Sequence, residues 1–166
     1  MQLMDLVYII DILVAILYLG YRGIKNGIVP ETYFMVTTAF SGFAAYYNQF
    51  WIGGNLLGSL PIPDDLTKAL IFGVLFVAIR SVLGYLGLLI MGDLRNPVIH
   101  TGLHKFGGVT FGAIKAVFYC SITLVFLSYL NPLFPILTDS IKVNSFVGFF
   151  YQILESSYDL LFGMLV

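Results

Sequence analysis

Four stretches of the chain, residues about 3–21, 32–51, 69–91 and 106–130, are each close to twenty residues long and mostly apolar. That is the length an α-helix needs to cross the ~30 Å hydrocarbon core of a bilayer. Backbone groups in hydrocarbon find no water, so such a run must satisfy its hydrogen bonds within itself, as a helix does. Composition agrees, with 59% of the residues hydrophobic and only 10% charged, where a soluble domain carries about a quarter. The expected fold is an all-α integral membrane protein. Four transmembrane helices fill a domain over residues 1–131, and an extracytoplasmic amphipathic helical tail covers residues 132–166. The lipid bilayer is the first partner. A net charge of −1 with no basic tract excludes a nucleic-acid partner.

The tail places Phe146, Phe149, Phe150, Ile153, Leu154, Leu161 and Leu165 at helical spacing, with Glu155, Ser156 and Asp159 on the other side. That pattern predicts a helix docked along the outer face. A shorter apolar run from Phe50 to Leu60 is too short to span. It is either re-entrant or interfacial, and the interfacial reading is preferred. Basic residues set the orientation. The first connection carries Arg22 and Lys25, and the third carries Arg95 and Lys105 with His100 and His104. The second balances Lys68 with Asp64 and Asp65. By the positive-inside rule, the first and third connections are cytoplasmic and both termini are extracytoplasmic. In a bacterium this is a multi-pass inner-membrane protein.

Each of three spans holds a charge: Asp11, Arg80 and Lys115. A charge near the bilayer centre costs at least about 2.5–3.5 kcal/mol, so such residues face the bundle interior and pair. Counting about 1.5 Å per residue puts all three at similar depth, which predicts an internal cluster of Asp11 with Arg80 and Lys115. The bland alternative is that Lys115 snorkels toward the cytoplasmic end and Arg80 is a packing residue. Helices in lipid associate through small residues that let backbones approach. The expected packing faces are Gly108, Gly112 and Ala116 on the fourth helix and Gly73, Gly84 and Gly87 on the third. Thr38, Ser41, Gly42 and Ala45 form that of the second, and Asp11, Ala15 and Tyr18 that of the first.

Catalytic motifs are missing. There is no phosphate-binding Gly-Lys-Ser/Thr loop, no His-Glu-x-x-His pair and no Gly-x-Ser-x-Gly elbow. His100 and His104 have i, i+4 spacing but no evident third ligand, and read as solvated loop residues. A lone Cys120 excludes an intrachain disulfide. No catalytic residue, cofactor or metal is expected, and the chain is read as not an enzyme.

Two segments together resemble the colicin V production (CvpA-like) family of small bacterial inner-membrane proteins. One is an acidic residue near the N-terminus, an apolar helix and then "GYRGIKNGIVPE". The other is "HKFGGVTFGAIKA". The resemblance picks out Asp5 or Asp11, then Arg22, Gly23, Lys25, Gly27 and Glu31 in the first. In the second it picks out Lys105, Gly108, Gly112 and Lys115. His104 stands where the family commonly has Asp, and Pro30 where a basic residue is frequent. The resemblance implies a non-enzymatic membrane protein that supports colicin V (bacteriocin) production, export or cell-envelope homeostasis. Its partner would be a membrane or envelope protein, or a second copy in a homo-oligomer. The alternative is a small oligomeric channel or transporter using the Asp/Arg/Lys cluster.

Overall fold

The computed structural model describes residues 3–52, 63–91, 102–130, 133, 147–153 and 156, all helical apart from turns and termini. Of the apolar run from Phe50 to Leu60, residues 50–52 belong to a helix and 53–60 lie outside the described residues, as do His100 and Arg95 of the third connection and most of the tail. Four long helices dominate: α1 (Leu3–Asn26), α2 (Ile28–Ile52), α3 (Asp64–Met91) and α4 (Gly102–Tyr129). Each runs further than its apolar stretch predicts. Charged and amide residues at the ends, such as Arg22, Lys25 and Lys105, are good helix formers whose heads reach water while the backbone stays helical.

The largest difference is at the first connection, where a loop was expected. Gly27 alone separates α1 from α2, with φ +80°. A left-handed residue after a helix favours glycine. Its N–H closes α1 onto the Gly23 carbonyl at 2.9 Å, and its own carbonyl opens α2 by accepting from the Glu31 N–H at 3.3 Å. Pro30 lies in the first turn of α2, where the missing N–H costs no helical bond. Glu31 is therefore a first-turn residue of α2 rather than the last residue of a loop.

Helix α4 packs extensively on α1 and on α2, α2 packs on α3, and α3 touches α4 over a smaller area. The lateral order is α1–α4–α2–α3. Helices α1 and α4 run antiparallel, with Gly23 against Gly108 and Leu19 against Gly112. A methyl added at Gly23 or Gly108 would strike backbone of the other helix. The small-residue face of α4 is thus a contact face, and its counterpart on α1 is Gly20 and Gly23, not Asp11, Ala15 and Tyr18. Asp11 and Tyr18 are exposed. Thr38, Ser41 and Ala45 of α2 are fully buried, as their shared face predicts. On α3 the glycines do not form one face. Gly73 lies against Phe126 of α4 and Gly87 against Tyr33 of α2, whereas a methyl at Gly84 would meet only Arg80 of its own helix.

Among the described residues three helices, α1, α3 and α4, are long and apolar enough to cross a membrane. The 25-residue α2 is not among them, in contrast to the four spans expected. The reason is compositional: threonine, serine, tyrosine and amide positions dilute its apolar content. Several of those groups point inward: among the described residues, five of the eight buried polar or charged side chains are on α2, namely Glu31, Thr37, Thr38, Ser41 and Gln49. Exposed valine, leucine and isoleucine side chains line the outer surfaces of α1 and α3.

Residues 147–153 form a short helix at the end of the bundle opposite Gly27. Val147 and Phe150 pack on Tyr8, Ile12 and Leu124, while Phe149 is exposed. The described part of the tail packs on the bundle, but not with all of the expected apolar face. Val147 and Phe150, three apart, seat it, and Phe149 is turned out.

Candidate functional site

Lys115 occupies the middle of α4 and is 5% exposed. Its Nζ donates to Oε2 of Glu31, which is fully buried. The other carboxylate oxygen, Oε1, accepts from Asn26 Nδ2 at 2.5 Å. One carboxylate therefore ties together the last residue of α1, the first turn of α2 and the middle of α4. The N-terminus of α2 also favours a negative charge there through its unpaired N–H groups. Both carboxylate oxygens and the ammonium are engaged, which is the condition for a buried pair to be tolerated.

Register explains how a mid-helix lysine reaches a helix start. Helices α2 and α4 run parallel: Gly107 lies against Ile28, 79 positions earlier, and Tyr129 bonds Gln49, 80 positions earlier. Lys115 and Glu31 are 84 apart. The lysine thus leans four to five residues toward the α1–α2 junction, about 6–8 Å along the axis. The lean ends in a buried pair and not in water, so the structure shows pairing in place of snorkelling.

The expected cluster is corrected at its acid. Lys115 pairs with Glu31, and Asp11 is exposed. Among the described residues Asp11 has no ion pair; the only other pair, Lys68–Asp65 at 3.5 Å, lies at the start of α3. Arg80 does come near Lys115. Its guanidinium stands 5.3 Å from the Phe34 ring centroid and Lys115 Nζ stands 5.9 Å from the same ring. Both cations are within reach of the electron-rich Phe34 ring. Arg80 Nε also donates to Tyr119 Oη at 3.2 Å. Spacing alone did not show Glu31, because it fell outside the apolar run. The available signal was the single glycine between two helical patterns, with Pro30 marking a first turn.

The remaining motif residues surround this pair. Gly23 and Gly108 let α1 and α4 touch, Gly112 continues the contact at Leu19, and Ala116 is fully buried. The α3 glycine Gly87 leaves room for the Tyr33 ring, whose hydroxyl donates to the Leu83 carbonyl at 2.7 Å. Gly27 lies against the His104 ring. His104 is thus a half-buried residue of the first turn of α4, not a solvated loop residue. Arg22, Lys25 and Lys105 are exposed at the same end, with Lys25 5.1 Å from the Tyr21 ring. Asp5 lies in the first turns of α1, far from Glu31 along the helix.

The sequence profile described as colicin V production protein matches residues 9–154. The chain belongs to this family. Membership suggests a role in colicin V production, and the match covers both segments that meet at Glu31 and Lys115. No curated protein and no solved structure matches the chain. The colicin V production family thus rests here on the profile, and the geometry shows what its two resembling segments do to one another.

Proposed function

We propose that this is a non-enzymatic protein of the bacterial inner membrane that supports colicin V production by acting in toxin export or envelope homeostasis. The observation that carries the reading is the closed Glu31–Lys115 pair. A conducting or catalytic charge needs access to what it moves, whereas this pair is buried and saturated by its neighbours. Two cavities, of about 250 and 220 Å³, lie elsewhere and neither is lined by Glu31, Lys115 or Arg80. The pair acts as a clamp that sets the angle between α1, α2 and α4, which suits a scaffold. In this reading α2 crosses the bilayer with the other three helices, its polar side chains shielded by α3 and α4. The end carrying Arg22, Lys25 and Lys105 faces the cytoplasm.

The test is complementation in a colicin V-producing strain that lacks its own family member. The chain is expected to restore the halo that the producer makes on a sensitive lawn. A membrane-integrated, well-accumulated chain that restores nothing rejects the reading. Thiol labelling of cysteines introduced at residues 25 and 105 in a Cys120→Ser background checks orientation. Labelling of intact cells by an impermeant reagent at those positions would reverse the topology.

A further inference from the structure

Asp11 and Arg80 flank one strip of α4 from opposite sides. Asp11 shares a cavity of about 220 Å³ with Tyr119, Cys120 and Thr123, and Arg80 bonds the Tyr119 hydroxyl from α3. Depth follows from the helix registers. Gly23 faces Gly108 and Leu19 faces Gly112, which sets Asp11 level with Cys120. Gly73 faces Phe126, which sets Arg80 level with Tyr119, as their hydrogen bond requires. The backbones at Asp11 and Arg80 therefore differ in depth by about one residue, roughly 1.5 Å, with the flexible Arg80 side chain reaching from there toward Gly84.

Among the described residues Asp11 is unsatisfied, and Arg80 is satisfied only in part, by Tyr119 and the Phe34 ring. Asp11 has no ion pair or side-chain hydrogen bond there, and the terminal nitrogens of Arg80 donate to nothing there. Arg80 is half-buried, Asp11 is exposed, and Thr123 between them is exposed. An unpaired charge at this depth is costly in lipid, so Asp11 calls for a cation, and the terminal nitrogens of Arg80 are free to donate to a carboxylate.

We propose that this face binds a second copy of the chain about a two-fold axis along the membrane normal. Such an axis preserves depth and exchanges left for right. Asp11 of each copy then meets Arg80 of the other, in two identical pairs. This is the self-complementary interface that a two-fold dimer requires. No other exposed cation in a described span stands at the level of Asp11: Arg22, Lys25 and Lys105 are at the α1–α2 junction end and Lys68 is near the other. The inference rests on the placement of these helices in a bilayer.

The experiment uses charge reversal in full-length chains in membrane vesicles, read by disulfide crosslinking through Thr123→Cys in a Cys120→Ser background. Chains with native charges are expected to give a crosslinked dimer. Asp11→Lys alone opposes two cations and Arg80→Glu alone opposes two anions, so each should lower dimer yield roughly tenfold or more. Co-expression of the two variants restores both pairs across the interface and should restore the dimer. A pair formed within one chain would be rescued only when both reversals are in the same chain. That result, or a yield insensitive to all reversals, overturns the proposal. Where a reversed chain fails to accumulate, Asp11→Asn is read instead and should lower the yield without lowering accumulation. Resistance to alkaline extraction is measured in parallel. A chain that is extracted fails the membrane placement, and one that is retained but never crosslinks fails the dimer alone.

Discussion

The two charged regions of this bundle solve the same problem in opposite ways. At Glu31 and Lys115 three helices converge closely enough for the chain to neutralise its own charge in the interior. At Asp11 and Arg80, α4 stands between the two groups, so that Asp11 is left exposed and Arg80 is only half-buried, against Phe34 and Tyr119. The difference lies in the packing. Gly23, Gly108 and Gly112 remove every Cβ between α1 and α4 at one end, whereas Tyr119 and Thr123 hold the opposite charges apart. A membrane helix pair needs small residues to bring backbones together, and only the first region has them in facing positions.

The sharpest way to break this contrast is Lys115→Met. It leaves Glu31 buried without its cation, and thermal unfolding of the purified protein in detergent should show a loss of about 3–5 kcal/mol. Adding Glu31→Leu to that variant should recover most of the loss, because the buried charge goes with its partner. Next comes Gly108→Ala. Its methyl meets the Gly23 backbone, which cannot rotate away, so a loss of about 1–3 kcal/mol is expected in the same assay. At Gly84 the opposite sign is expected. The only close neighbour of an added methyl is the end of the flexible Arg80 side chain at 3.1 Å, and Gly84→Ala should gain about 0.5–1 kcal/mol from helix propensity. Smallest of all is Asp11→Asn measured on detergent-isolated monomer, where the change should stay within about 0.5 kcal/mol. A large loss there would show that Asp11 is satisfied within its own chain and would erase the contrast.

Much of the bundle is legible in the amino-acid order. The apolar runs mark all four helices, the recurrence of Gly108, Gly112 and Ala116 marks a contact face, and Lys115 stands out as a charge that must be answered. Partner choice was not legible. Counting depth from the ends of the apolar runs favours Asp11, because it treats helices as parallel rods and side chains as points. It leaves out the lean of Lys115 along its helix and the start of α2 at Ile28, which brings Glu31 into the bundle. The α3 glycines misled for a related reason. Gly73, Gly84 and Gly87 fall within a narrow arc, but Gly73 meets a side chain of α4 and Gly87 one of α2, so one arc serves two neighbours and, at Gly84, none.

The sequence by itself determined that this chain must be helical, must shield its backbone from lipid and must answer its interior charges. Those follow from hydrophobicity, hydrogen-bond satisfaction and the cost of desolvating a charge, all of which are properties of residues in order. Only the tertiary structure decided that Lys115 answers to Glu31 and that Asp11 and Arg80 lie on opposite sides of α4. Those depend on the lateral order α1–α4–α2–α3 and on the registers fixed by glycine contacts. No single helix contains that information, because it exists only where two of them touch.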